Sequence, residues 1–196
     1  MTNQFYRILA AAFISSLLLF TGKAISQPRG EGWIVSGSNP NEYNMGVTTK
    51  VRYLGKPSAY ITSKNVKLHG FGTYAQMSQT GDYLGKSVRM SAYISSKNIT
   101  GASWAGMWLR VDGDRGKVLS FDNMQSRPIK GTSKWKKYET ILDVPAGAKD
   151  MAYGVLLSGK GDVYFTDMNF EVLGPATGKT GNSGIPAKPE NLDFEH

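Results

Sequence analysis

The chain has 196 residues, 23 Lys+Arg against 15 Asp+Glu, a formal net charge of +8 and no cysteine. Without thiols it has no disulfide framework, no thiolate nucleophile and no Cys-ligated zinc. Its cations sit singly in turns, as at Lys56, Lys64, Lys86, Lys97 and Lys160, rather than clustered on one element, which argues against a nucleic-acid interface.

The N-terminus reads as an export signal: Arg7 is followed by an apolar run from Ile8 to Phe20 and by the small residues of Ala24-Ile25-Ser26. The run is too short for a membrane span, so the expectation is cleavage near Ser26-Gln27, no membrane span afterwards, and a periplasmic or secreted product. The alternative is an uncleaved N-terminal anchor. No Cys follows the run, which excludes a lipid-anchored form. Residues 1–26 are thus assigned to the signal, 27–174 to one β-rich domain, and 175–196 to a flexible tail. Removal of Arg7 and Lys23 leaves 21 cations against 15 anions, a mild excess suited to an anionic cell surface.

From Gly32 onward the chain reads as short strands. Gly32-Trp33-Ile34-Val35 is a strand closed by the turn Ser36–Pro40, and Tyr43–Val51 is half extended. Ser58-Ala59-Tyr60-Ile61-Thr62-Ser63-Lys64-Asn65 alternates like an edge strand, and nearly the same octet returns at Ser91–Asn98. In Phe71–Met77 alternation puts Phe71, Thr73, Ala75 and Met77 inward and Tyr74 and Gln76 outward. In Val88–Ser95 the core face is Val88, Met90, Ala92 and Ile94, with Arg89, Ser91 and Tyr93 opposite.

Trp104–Asp112 has Ala105, Met107, Leu109 and Val111 on one face, and Trp104, Gly106, Trp108, Arg110 and Asp112 on the other. A glycine-rich hairpin, Asp112–Gly116, leads to Lys117–Asn123, with Leu119 and Phe121 inward and Ser120 and Asp122 outward. Asn123–Pro128 is a loop. The strands Trp135–Val144, Met151–Leu157 and Val163–Val172 follow, the last two joined by the tight turn Ser158–Asp162. Eight or nine short strands, frequent turns and no amphipathic helix predict an all-β antiparallel sandwich. Residues 175–189 have linker composition, and Asn191-Leu192-Asp193-Phe194-Glu195 then looks like the start of another strand.

The outward set Tyr74, Gln76, Arg89, Tyr93, Trp104, Trp108, Arg110, Asp112, Asp122 and Asn123 is the candidate ligand-binding face. Indoles and phenols stack on the apolar C–H faces of sugars, and fixed donors and acceptors read the hydroxyls. Arg110 would orient the ligand, with Asp112 and Asp122 as acceptors. The competing reading is structural: buried indoles, and Arg110 paired with Asp112 or Asp122. Catalytic residues are not evident. There is no Gly-x-Ser-x-Gly elbow or phosphate loop, and His69 sits in a turn. A carboxylate pair drawn from Asp112, Asp122, Glu139 and Asp143 leaves a glycoside hydrolase or lyase as an alternative. Asp112-Gly113-Asp114 resembles the start of a calcium loop only faintly and reads better as a hairpin turn.

Several segments carry a family resemblance. Gly32-Trp33 with Ser36-Gly37-Ser38, Gly70–Gln76, Trp104–Asp112, Phe121–Met124, Arg127–Thr132, Trp135, Leu142–Pro145 and Gly154–Gly161 resemble the galactose-binding-like, carbohydrate-binding-module-like jelly roll of bacteria. That module occurs free or fused to helix-turn-helix transcription regulators and hydrolases. The resemblance spans about residues 30–173 and implies a jelly roll whose relatives mostly bind carbohydrate on a concave sheet. It also implies a place for a structural calcium near Asp167 in the last strand, with no other cofactor expected. The Asn-Leu-Asp-Phe-Glu string commonly precedes or begins such modules, whereas here it stands at the C-terminal end. The expectation is therefore an exported non-catalytic binding module for carbohydrate or another small polar ligand. Its rivals are a carboxylate hydrolase or lyase and a structural or surface-interaction protein. Oligomeric state is left open.

Overall fold

The computed structural model describes residues 30–64 and 70–177. The expected leader, His69 and the Asn191–Glu195 string lie outside the described residues. Ten strands follow in chain order: β1 (Ile34–Ser36), β2 (Tyr43–Tyr53), β3 (Lys56–Ser63), β4 (Phe71–Gln79), β5 (Lys86–Ile99), β6 (Trp104–Asp112), β7 (Val118–Asp122), β8 (Gly131–Val144), β9 (Asp150–Ser158) and β10 (Asp162–Pro175). They form two five-stranded antiparallel sheets, β1-β4-β9-β6-β7 and β2-β3-β10-β5-β8. This is the predicted β-sandwich jelly roll. No α-helix occurs among the described residues, only short 3-10 turns.

The main core lies between the sheets. Met107, Leu109, Val155 and Leu157 of the first sheet face Ile61, Val88, Met90, Ile94, Val163 and Phe165 of the second, all of them buried. Full burial of each such side chain contributes roughly 1.5–3 kcal/mol. The repeated octet has a structural meaning. In β3 Ala59 and Ile61 turn inward and Tyr60 outward, and in β5 Ala92 and Ile94 turn inward and Tyr93 outward. Both strands flank β10, so the repeat places two tyrosines on the same outer face.

Two strand phases differ from the sequence expectation. In β4 it is Tyr74 that enters the main core, stacked on Trp33 at 5.2 Å, whereas Phe71 and Ala75 lie on the opposite side with Trp108. Tyr74 was expected outward because period two cannot say which of two apolar sets wins. From Phe71 to Ala75 the strand is buried on both faces, so both sets satisfy a core, whereas Met77, also expected inward, is exposed. In β7, Asp122 pairs across from Leu109 and Ser120 from Val111. Ser120 and Asp122 therefore point between the sheets, and Phe121 points outward beside Arg110. Their polar groups are satisfied there: Ser120 donates to the Asp143 carbonyl at 2.8 Å, which removes the usual penalty for burial.

Candidate functional site

The strand expected to carry the ligand, β6, is buried on both sides. Ala105, Met107, Leu109 and Val111 do face the main core. On the other side Trp108 is 0% exposed and packs with Phe71, Ala75, Ala152 and Leu156, flanked by Ile34, Trp104 and Phe121. Its indole N–H donates to Thr73 Oγ1 at 2.7 Å, and Thr73 Oγ1 donates to the Val155 carbonyl at 2.8 Å. A ring with no exposed surface offers no stacking platform, so Trp108 is a packing residue. Gly106 serves the same close packing, since a Cβ there would stand 2.7 Å from the Asn123 carbonyl oxygen.

The polar members of the expected face are also engaged. Arg110 donates from Nε to Asp112 Oδ2 at 2.9 Å and from Nη2 at 2.8 Å, with both side chains largely buried. Burial pushes the Asp112 carboxyl above its ordinary range, opposed by the Arg110 hydrogen bond and charge. Asp122 accepts from Arg127 and Thr140 and from the Met124 amide at 2.8 Å. It thereby ties β7 to β8 of the other sheet. Asp112 and Asp122 thus lie on opposite faces of the first sheet, each held by its own guanidinium, and do not form the facing pair a hydrolase would need. Gln76 accepts from the Tyr153 phenol at 2.8 Å, and Asn123 caps its own loop by accepting the Gln125 amide at 3.0 Å.

Arg89 and Tyr93 sit elsewhere, on the outer face of the second sheet, and the expected set is therefore divided between two sheets. Around them the fold gathers side chains the sequence reading left out. The β2–β3 hairpin bends over this face. Three residues of β2 bulge between Thr48 and Arg52, and Arg52 locks the bulge by donating to the carbonyls of Thr49 and Gly55. The turn places Leu54 at φ +47° and Gly55 at φ +79°, the conformation tight hairpins favour. As a result Tyr53, from the strand at the far edge of the sheet, stacks on Tyr93 of β5 at 4.3 Å. It also meets Trp135 of β8 at 5.4 Å.

Tyr60 and Tyr164 lie on the same face, paired across β3 and β10. Desolvation pushes the Tyr53 phenol above its ordinary range, with Tyr93 and Asp167 adding to the effect. The Tyr164 phenol is raised by desolvation too, then by Asp162 and Tyr60. Both remain neutral donors at physiological pH.

Charged groups line the same face as ion pairs. Arg89 donates from Nη1 to Glu171 at 2.7 Å, and its Nε stands 3.5 Å from Glu139. Lys137 reaches Glu139 at 3.0 Å. Lys56 on the hairpin pairs with Asp167 of β10. Asp167 occupies a bulge at φ +56°. Its carboxylate is bonded to an ammonium, and no cluster of three or more metal-ligating side chains exists among the described residues. Tyr53, Tyr60, Trp135, Glu139 and Tyr164 were missed as a group because they come from four strands. The octet repeat and the Trp135-x-Lys137-x-Glu139 alternation were the available signals.

The class follows from the two-sheet architecture: this is an antiparallel β-sandwich of the jelly-roll kind. The fold is shared with the CBM22-1 xylan-binding domain of Paenibacillus barcinonensis Xyn10C, at TM-score 0.55 and 16% identity over 76% of this chain and 91% of that one. It is shared with the enzymatically active domain of bacteriophage CBA120 tailspike protein 4, at TM-score 0.56 and 13% identity over 76% of this chain and 21% of that one. No family model matches the chain. It belongs to the family of the Bacillus subtilis (strain 168) uncharacterized HTH-type transcriptional regulator YbfP, 35% identical over 201 residues covering 98% of this chain and 67% of that protein.

Proposed function

We propose that the protein is an exported, non-catalytic module that binds carbohydrate on the outer face of its second sheet. The observation that carries this reading is the cluster of half-buried rings, Tyr53, Tyr93 and Trp135, beside the charged row Arg89, Glu139 and Glu171. Rings of this kind stack on pyranose C–H faces, and carboxylate and guanidinium groups hydrogen-bond hydroxyls. The fold's likeness to a xylan-binding domain supports the same class of ligand. Asp112 and Asp122 are committed to separate arginines, which favours binding over hydrolysis. Export rests on the N-terminal pattern of Arg7 and the run Ile8–Phe20.

The test is a fluorescence titration against cell-wall and plant oligosaccharides. Trp135→Ala and Tyr93→Ala serve as controls, and the sugars are analysed afterwards. Saturable change that both variants abolish, with sugar recovered intact, is the expected result. Silence across the panel from a folded protein would sink the carbohydrate reading, and cleaved sugar would sink the non-catalytic one. N-terminal sequencing of protein recovered outside the cytoplasm checks for loss of residues 1–26. A ligand-sensing role, suggested by the regulator relative, uses the same face and the same titration.

A further inference from the structure

We propose that the ligand of this face is an uncharged glycan chain, and that Glu139 and Glu171 exclude anionic ones. The proposal deepens the carbohydrate reading and rests on it. The exported chain would carry a mild excess of cations, 21 against 15, so long-range attraction would favour anions. The face itself is locally balanced. Lys56 is tied to Asp167, Lys137 to Glu139, and Arg89 to Glu171 with Glu139 on its other flank.

Arg89 is the group most suited to capture a uronate, sulfate or phosphate in a two-pronged contact, and it is flanked by two carboxylates of the same sheet. An anionic ligand would have to displace one of them and would then lie at contact distance from the other. Repulsion at that range is little screened by salt. A hydroxyl-bearing neutral chain meets no such penalty. Its O–H groups donate to Glu139 and Glu171, while its ring faces stack on Tyr93 and Trp135. The surface is also long. From Ser95, beside Tyr164, to Arg89, beside Glu171, the six steps between residues of β5 extend about 20 Å at ~3.4 Å per residue, room for several sugar units.

The experiment compares, by calorimetry, a neutral oligosaccharide with the same backbone bearing uronate groups, at low and high salt, on the wild-type chain and on Glu171→Gln and Glu139→Gln. The neutral chain is expected to bind with affinity nearly independent of salt. The uronate form should bind at least about tenfold more weakly, a difference of roughly 1.4 kcal/mol, and each Gln variant should narrow that gap. Glu139 and Glu171 are both substantially exposed, so the variants should fold, and far-UV circular dichroism checks this. Equal or tighter binding of the uronate form, a steep loss of affinity with salt, or an unchanged gap in both variants would overturn the charge-exclusion proposal while leaving carbohydrate binding intact. Binding of neither sugar would overturn both.

Discussion

Trp108 has the composition of a ligand platform and the environment of a core residue. Its indole fills the second apolar cluster and its one polar atom is satisfied by Thr73. Replacement by alanine removes the packing and leaves the Thr73 hydroxyl short of a partner. We expect Trp108→Ala to cost about 3–5 kcal/mol, read as a shift in the urea midpoint, and to make the variant unsuitable as a binding control. Trp135→Ala, on the half-exposed face, should change stability far less.

Tyr43 shows the same principle in a titrating group. It is raised to about 12, by burial first, against the opposing Gly159 amide and with Glu42 adding to the rise. The folded state therefore favours the neutral phenol. The resulting stability is full below the unfolded value near 10 and is lost as pH rises through 12. Denaturation followed across that window should show the loss, and Tyr43→Phe should flatten it. A slope unchanged in the variant would assign the alkaline loss to other groups.

At the scale of elements, the β2–β3 hairpin decides the shape of the candidate site. A flat sheet face would leave Tyr93 and Trp135 open, whereas the bulge after Thr48 brings Tyr53 across two strands to meet them. Both turn residues have positive φ, and a β-branched side chain at Gly55 cannot adopt it without strain. Nothing stands within 4 Å of a Cβ there, so the penalty is purely conformational. Gly55→Val is expected to cost about 1–2 kcal/mol locally. It should reduce sugar affinity several-fold by releasing Tyr53 while leaving the main unfolding transition little changed. Calorimetry and thermal melts on the same variant test this, and unchanged affinity would mean that Tyr53 does not contribute.

At the scale of the molecule, the two sheets are joined by apolar packing and by polar contacts, of which the Asp122 knot is the most extensive. Asp122 of the first sheet accepts from Arg127 in the following loop and from Thr140 of the second sheet. A buried carboxylate is costly alone, and removing it strands the groups that face it. Asp122→Ala should therefore destabilise the fold by about 3–5 kcal/mol, measurable by denaturant titration. Glu171→Gln, on the open face, should fall within about 0.5 kcal/mol of wild type. A small effect at Asp122 would show that this knot is not needed to hold the sheets in register.

The sequence determined the architecture, because alternation and turn chemistry are local properties. The strands, their hairpins and the inward sets of β5 and β6 are written at spacings of two residues. It also placed Arg89 and Tyr93 on an outer face. It could not determine which side of a strand meets the main core where both sides are apolar or satisfied, as in β4 and β7, since burial on both faces erases the contrast on which period two depends. Nor could it assemble Tyr53, Tyr93, Trp135 and Glu139. Those residues converge only through the strand order β2-β3-β10-β5-β8 and a bulged hairpin, and contacts between distant segments are decided by tertiary packing rather than by any local pattern.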